Sequence, residues 1–370
     1  AHARHRQTTS GRATGIFSIR RIAGSSQASG WPKTITELTR RREALINLSK
    51  EQSPAPFQVF DLKPEAADVE AEVLTGLRQA EKTLSPKFFY DETGSKLFEA
   101  ITQLPEYYLT RTELSIFDDY LDALAGGVTE GSCVVEYGSG SSLKIRKVLE
   151  AIDPAAYVPV DISGEHMVAM ARDLAEDFPG LAIYPTCADF TSAFELPPPV
   201  SGLPKVGFFP GSSIGNFEPR EAAAFLGRVA QTLGPGGKLI IGVDLKKDVG
   251  VLEAAYDDAA GVTAAFNLNL IAHLAETLAI DLEPGRFAHR AEYNVDVGAI
   301  QMFLDVLESH EVEIAGETIS LAAGEAIHTE NSFKYEPAEF LALTAGAGFM
   351  ELGRWSDARE WFAVYLLEVA

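Results

Sequence analysis

The residues with the clearest chemical potential lie in the stretch 134–144, Val-Val-Glu-Tyr-Gly-Ser-Gly-Ser-Ser-Leu-Lys. Gly138 and Gly140 let a backbone turn sharply and approach a ligand closely. The turn feeds a helical pattern (Ile145, Val148, Leu149, Ile152), whose positive end points N–H groups outward. Asp161 follows Gly138 by 23 positions, at the end of the apolar run Tyr157-Val158-Pro159-Val160. A carboxylate there can accept from both ribose hydroxyls of an adenosine cofactor. A dinucleotide turn wants a third glycine where Leu143 stands. The spacing therefore favours S-adenosylmethionine (SAM), which has no pyrophosphate, over NAD or FAD. A second group, the aromatic-rich segment from Phe88 to Tyr108, could wall a small polar ligand or simply fill a core.

These residues need a scaffold, and the hydrophobic pattern supplies one. Runs at 134–137, 157–161, 181–186, 205–209 and 238–243 read as strands, with helices predicted over 164–177 and 221–233 between them. Alternating strands and helices imply an α/β fold with a parallel sheet and right-handed crossovers. Ligands sit at the carboxyl ends of such strands, where Gly138, Asp161, Asp189 and Gly211 fall. Residues 246–334 break the rhythm. A helical stretch at 251–278 precedes strand-like runs at 288–297, 299–308 and 311–319, which reads as an inserted α+β module. A helix at 336–346 and strands at 349–355 and 361–369 close the chain. Upstream, residues 33–50 and 67–82 read as helices, and 51–64 as a linker or edge segment.

Composition narrows the function. Net charge is −22, and residues 51–370 alone hold 21 basic and 51 acidic side chains. So acidic a body repels a phosphate backbone, which argues against nucleic acid as a partner. The chain has no run of eighteen apolar residues, so no membrane span is expected. Two cysteines with no Cys-x-x-Cys suggest a reducing, cytoplasmic setting and no zinc site or other metal. Residues 1–30 carry five arginines and no acid, a composition expected to be disordered. They resemble a transit peptide in composition but lack its amphipathic helix, so an upstream extension over 1–50 is the simpler reading.

Four segments carry a family resemblance: Phe88-Phe-Tyr-Asp-Glu-Thr-Gly-Ser95, Glu106-Tyr-Tyr-Leu-Thr-Arg-Thr-Glu113, Phe209-Pro-Gly-Ser-Ser-Ile-Gly-Asn-Phe217 and His328-Thr-Glu-Asn-Ser-Phe-Lys-Tyr335. In this order they resemble the SAM-dependent histidine Nα-methyltransferases of ergothioneine biosynthesis, from about Phe57 to the C-terminus. The resemblance implies a Rossmann-like class I methyltransferase sheet (113–245 with 335–370) and a second, substrate-binding domain (57–112 with 246–334). By position, Tyr137, Gly138, Ser139, Gly140, Lys144, Asp161, Asp189 and Phe190 match the cofactor residues. Lys144 would reach the methionine carboxylate, and Asp189 and Phe190 the adenine. Asn216 and Tyr256 match the residues that hold the α-amino and carboxylate ends of the amino acid, with Gly211 and Ser213 beside them. Glu330 and Ser332 match the imidazole-recognising pair, Met302 the sulfur near the ring, and Tyr90 and Tyr107 the tyrosines that complete the pocket. Ser213 stands where many relatives have Thr, which keeps the hydroxyl.

The implied reaction is transfer of the SAM methyl to the α-nitrogen of L-histidine, three times, giving hercynine. The attacking nitrogen must be neutral, and Tyr90 is the candidate to take its proton. The expected partner is this small molecule, in a monomer. Two alternatives stay open on the sequence: another amino acid such as tryptophan, or a catalytically silent SAM-binding subunit.

Overall fold

The computed structural model of the protein describes residues 55–62, 68–139 and 142–370. The expected extension over 1–50 and Gly140 lie outside the described residues. The described chain opens with β1 (Phe60–Asp61), α1 (Val69–Leu77), β2 (Lys82–Thr83), α2 (Glu92–Thr102) and α3 (Leu109–Gly126). Strands and helices then alternate: β3 (Cys133–Tyr137), α4 (Ser142–Ile152), β4 (Ala156–Asp161), α5 (Gly164–Asp177), the short β5 (Ala182–Ile183) and β6 (Thr186–Cys187), β7 (Lys205–Phe209), α6 (Pro219–Leu233) and β8 (Lys238–Asp244). An insertion follows: α7 (Val249–Tyr256), α8 (Val262–Leu278), β9 (Phe287–Asn294), β10 (Ala299–Val306), β11 (His310–Ile314), β12 (Glu317–Leu321) and β13 (Ala326–Phe333). The chain ends in α9 (Pro337–Gly346), β14 (Phe349–Ser356) and β15 (Phe362–Val369).

The large sheet runs β1-β6-β4-β3-β7-β8-β15-β14, with β5 beside β4. Every pair from β1 to β8 is parallel, and β15 enters antiparallel between β8 and β14. All five side chains of β3 are buried, as a parallel strand covered on both faces requires. Alternate residues feed two cores. Val134, Phe208 and Ile240 pack with Ile116, Phe117, Ile145 and Val148 of α3 and α4. Val135, Phe209 and Ile241 pack with Phe225 and Val229 of α6 and Phe340 of α9. The strand order reverses between β3 and β7, which opens a crevice at their carboxyl ends.

The insertion leaves and returns at one place, the tip of β8. There the Tyr335 N–H donates to the Asp244 carbonyl, and the Lys246 N–H to the Tyr335 carbonyl. Its main sheet runs β2-β13-β10-β9. Inward residues Ile300, Met302 and Leu304 of β10 pack on Phe266, Leu270 and Leu274 of α8. The described residues belong to one compact unit, Pro54–Ala370.

Several boundaries differ from the sequence reading, each for a local reason. Phe60 and Asp61 extend the large sheet by pairing with Thr186 and Cys187, although residues from 57 were expected in the substrate module. The helical stretch 251–278 is two helices. Gly261 (φ +72°) turns the chain, and the Asp258 carboxylate caps α8 by accepting from the Val262 and Thr263 N–H groups. The run 311–319 holds a hairpin turn at Ala315 and Gly316, both at positive φ. The run 181–186 divides into β5 and β6 at Tyr184-Pro185, where proline has no N–H for a ladder.

Candidate active site

The carboxyl ends of β3, β4, β6, β7 and β8 bring Gly138, Asp161, Asp189, Gly211 and Asp244 to one edge of the sheet. Gly138 has φ +77°, and a Cβ there would touch the Phe190 ring at 3.5 Å, so the bare backbone meets an aromatic face. The Asp161 carboxylate accepts from the Ser163 N–H at 2.8 Å, and burial pushes its pKa up. Asp189 accepts from the Thr191 N–H, the Thr191 hydroxyl and the Ser192 hydroxyl. Burial works to raise its pKa, but these hydrogen bonds outweigh it and hold the carboxyl low. Acceptors flanking a glycine turn and an aromatic ring fit an adenosine.

Two expected cofactor side chains are directed elsewhere. The Tyr137 ring is buried in the core against Phe209 and Phe225, because it faces α6 on its strand. The Ser139 hydroxyl turns under the loop, 3.4 Å from the Tyr157 hydroxyl, which itself donates to Glu136. Lys144, expected at the methionine carboxylate, forms a buried ion pair with Glu113. Both Glu113 oxygens also accept from the Gly211 N–H, at 3.0 and 2.9 Å. One wholly buried carboxylate thus ties the first cofactor helix to the loop after β7. A Cβ at Gly242 would overlap that carboxylate.

Next to this edge lies a narrow cleft of about 70 Å³. Tyr90, Tyr107, Gly211, Ser213, Asn216, Tyr256, Met302, Glu330 and Ser332 all line it. They come from well-separated places in the sequence, so the fold alone assembles them. The aromatic wall is continuous: Tyr90 meets Phe98, Phe98 meets Tyr107 and Tyr107 meets Tyr256, each edge-to-face at centroid distances of 6.0, 6.2 and 6.2 Å. Asn216 reaches Glu330 because the turn Ser213–Asn216 lies against β13. A Cβ at Gly215 would come within 2.7 Å of the Phe333 carbonyl oxygen, so only glycine permits that approach. Met302 is fixed from behind. The Thr329 hydroxyl reaches the Met302 carbonyl and the Asn267 side-chain oxygen, while Asn267 Nδ2 donates to the Phe303 carbonyl.

Burial pushes the Glu330 carboxyl up to about 7, against the downward pull of Lys334 and of the Asn216 amide. The Tyr90 ring is 47% exposed, but loss of water around its hydroxyl in the cleft, with Glu330 and Tyr256 close by, pushes its pKa above the ordinary phenol range. Tyr90 therefore keeps its proton at neutral pH. In the ligand-free protein its hydroxyl is thus a hydrogen-bond donor toward the cleft. His328 lies outside the cleft, its ring against Phe303 and its Nε2 3.1 Å from the Asn331 side-chain oxygen.

The sequence reading passed over a set of buried charges beneath the cleft. The Asp244 carboxylate accepts from the Tyr108 hydroxyl, Lys247 and Lys334, and all four side chains are buried. Glu113 and Lys334 fall within two of the four motifs quoted above, but no local spacing marks their partners. Thr263 and Phe266 also line the cleft and carry no sequence signal of their own.

A parallel sheet of this order with one antiparallel strand between its last two members, and a glycine turn beside an acid on the neighbouring strand, define a class I SAM-dependent methyltransferase. The sequence profile of the histidine-specific, SAM-dependent methyltransferases matches residues 69–369. The chain is 40% identical to the histidine N-alpha-methyltransferase of Mycolicibacterium smegmatis, over 79% of this chain and 94% of that one. It is 36% identical to that of Mycobacterium tuberculosis, over 77% and 90%. It is 30% identical to ergothioneine biosynthesis protein 1 of Neurospora crassa, over 86% of this chain and 37% of that one. The chain belongs to the histidine-specific, SAM-dependent methyltransferase family.

Proposed function

We propose that this enzyme methylates the α-amino nitrogen of L-histidine three times, giving hercynine for ergothioneine biosynthesis. The observation that carries this reading is the convergence of Asn216, Tyr256, Glu330 and Ser332 on one cleft beside the cofactor edge. Asn216 offers an acceptor and two donors for the amino end, and Tyr256 a hydroxyl for the carboxylate. Glu330 and Ser332 grip the imidazole from two directions, the glutamate accepting its N–H. Indole offers one N–H and no acceptor, so it leaves Ser332 unmatched, and an unmatched buried polar group costs about 1–3 kcal/mol.

Gly138, Asp161, Asp189 and Phe190 would hold the adenosine end of SAM. Lys144, poised by Glu113 beside Gly211, would face its methionine end. Bound SAM supplies an activated methyl on a sulfonium. The protein's task is alignment, which is worth several kcal/mol. Tyr90, Tyr107 and Phe98 give the growing methylammonium an aromatic wall. We place the enzyme in the cytoplasm as a monomer. Both cysteines are free thiols, which supports the first point. No described helix is long and apolar enough to cross a membrane. Incubation with SAM and an amino-acid mixture tests the reading: trimethylated histidine supports it, and methylated tryptophan alone overturns it. Calorimetric binding of both substrates without product would favour a silent subunit.

A further inference from the structure

Beneath the cleft, Lys334 is wholly buried and serves three partners. Its Nζ lies 2.9 Å from Asp244 Oδ2, donates to the Tyr256 hydroxyl at 2.9 Å and donates to Ser332 Oγ at 2.7 Å. An ammonium has three N–H donors and no acceptor. All three are therefore spent, one on the counter-ion and one on each hydroxyl that lines the cleft. The two hydroxyl oxygens are themselves 2.7 Å apart, and either can give the hydrogen between them. The pair holds two hydrogens, of which one closes that contact. The other has no direction left but the cleft.

We propose that Lys334 is a positioning residue that sets the hydrogen-bond polarity of the substrate pocket, forcing the Tyr256–Ser332 pair to present a hydrogen rather than a lone pair to the amino acid. The pocket then holds a donor at the hydroxyl pair and an acceptor at Glu330. This selects a ring that has one N–H and one bare nitrogen, as neutral imidazole does, and rejects a ring that only donates. Without the lysine the hydroxyls are free to turn and to accept, and the distinction fades. The inference rests on the amino-acid reading above, since Tyr256 and Ser332 face that ligand. Without Lys334, Asp244 keeps Lys247 and the Tyr108 hydroxyl, while Glu330 loses the cation that draws its carboxyl down.

The test is a double-mutant cycle on the full-length enzyme. Wild type, Lys334→Met, Ser332→Ala and the double variant are compared for KM of histidine, kcat, and calorimetric affinity for S-adenosylhomocysteine. Lys334→Met should raise KM by about tenfold while the cofactor affinity stays within about twofold. Ser332→Ala should raise KM in the wild-type background yet change it by less than about twofold once Lys334 is gone. If the two effects multiply as independent ones, or if KM is unmoved, the proposal is wrong. If cofactor affinity falls in step with KM, Lys334 is only structural. Should Lys334→Met fold poorly, Lys334→Gln retains amide donors and should hold KM between wild type and Ser332→Ala; a KM at or above that of Ser332→Ala overturns the proposal. If the wild type ignores histidine, the functional reading fails; if it methylates instead an amino acid whose ring only donates, the proposal fails with it.

Discussion

Replacing Glu330 by glutamine should move substrate affinity and stability in opposite directions. The amide side chain would keep the shape and one acceptor but lose the charge. A hydrogen bond to a charged group is worth about 1.5–3 kcal/mol and a neutral one about 0.5–1.5. The loss is therefore about 1–2 kcal/mol, or roughly 5- to 30-fold in KM for histidine. The carboxyl of the free enzyme sits at about 7, so the gap should be full at pH 8–9 and nearly closed at pH 6, where wild type is itself mostly protonated. Stability behaves conversely. The folded-state pKa is raised from 4.5 to about 7, so wild type loses stability as pH rises through that window. The displacement corresponds to at most about 3 kcal/mol. Glu330→Gln should then be the more stable protein at pH 8, with the advantage gone by pH 4. Steady-state KM for histidine from pH 6 to 9 and urea unfolding of the ligand-free enzyme at both pH extremes measure the two effects. A KM ratio that does not change with pH, or a variant less stable than wild type at pH 8, would refute the idea of a burial-raised carboxyl.

Three further outcomes follow from the packing. Glu113→Ala leaves Lys144 buried without its partner and should cost about 3–5 kcal/mol in urea unfolding, with a weaker affinity for S-adenosylhomocysteine by calorimetry. Gly215→Ala must push the Ser213–Asn216 turn off β13. It should cost about 1–3 kcal/mol and raise KM for histidine more than KM for SAM. Asp161→Ala should weaken S-adenosylhomocysteine binding while leaving the melting temperature within a few degrees, since its carboxylate bonds only locally, to Ser163 and Ile162.

The parallel sheet was legible because each strand is a short apolar run ending in a turn residue, and those ends mark the cofactor edge. Asp161 and Gly138 could be found that way. The cleft residues are another matter. Glu330, Asn216 and Tyr256 have no periodic signature, and only the ordered motifs of a known family pointed to them. Lys334 sits two residues beyond Ser332 and reads as an ordinary strand lysine; its three partners lie on β8, α7 and β13, a convergence that spacing along one chain does not encode. Glu113 is hidden likewise, since its meaning depends on Gly211 and Lys144 meeting it. Tyr137 shows the opposite failure. Its neighbours in the glycine turn suggested a ligand contact, but strand alternation sends its ring to the core.

The central claim is that one cleft beside the cofactor edge presents the α-nitrogen of histidine to a methyl donor. Mass detection of product from purified enzyme with SAM and histidine, comparing wild type with Asn216→Ala, tests it most directly. Wild type should give species with one, two and three added methyl groups on the α-nitrogen, and Asn216→Ala should give little of any. Methylation on the imidazole ring, or undiminished turnover without the Asn216 amide, would contradict it.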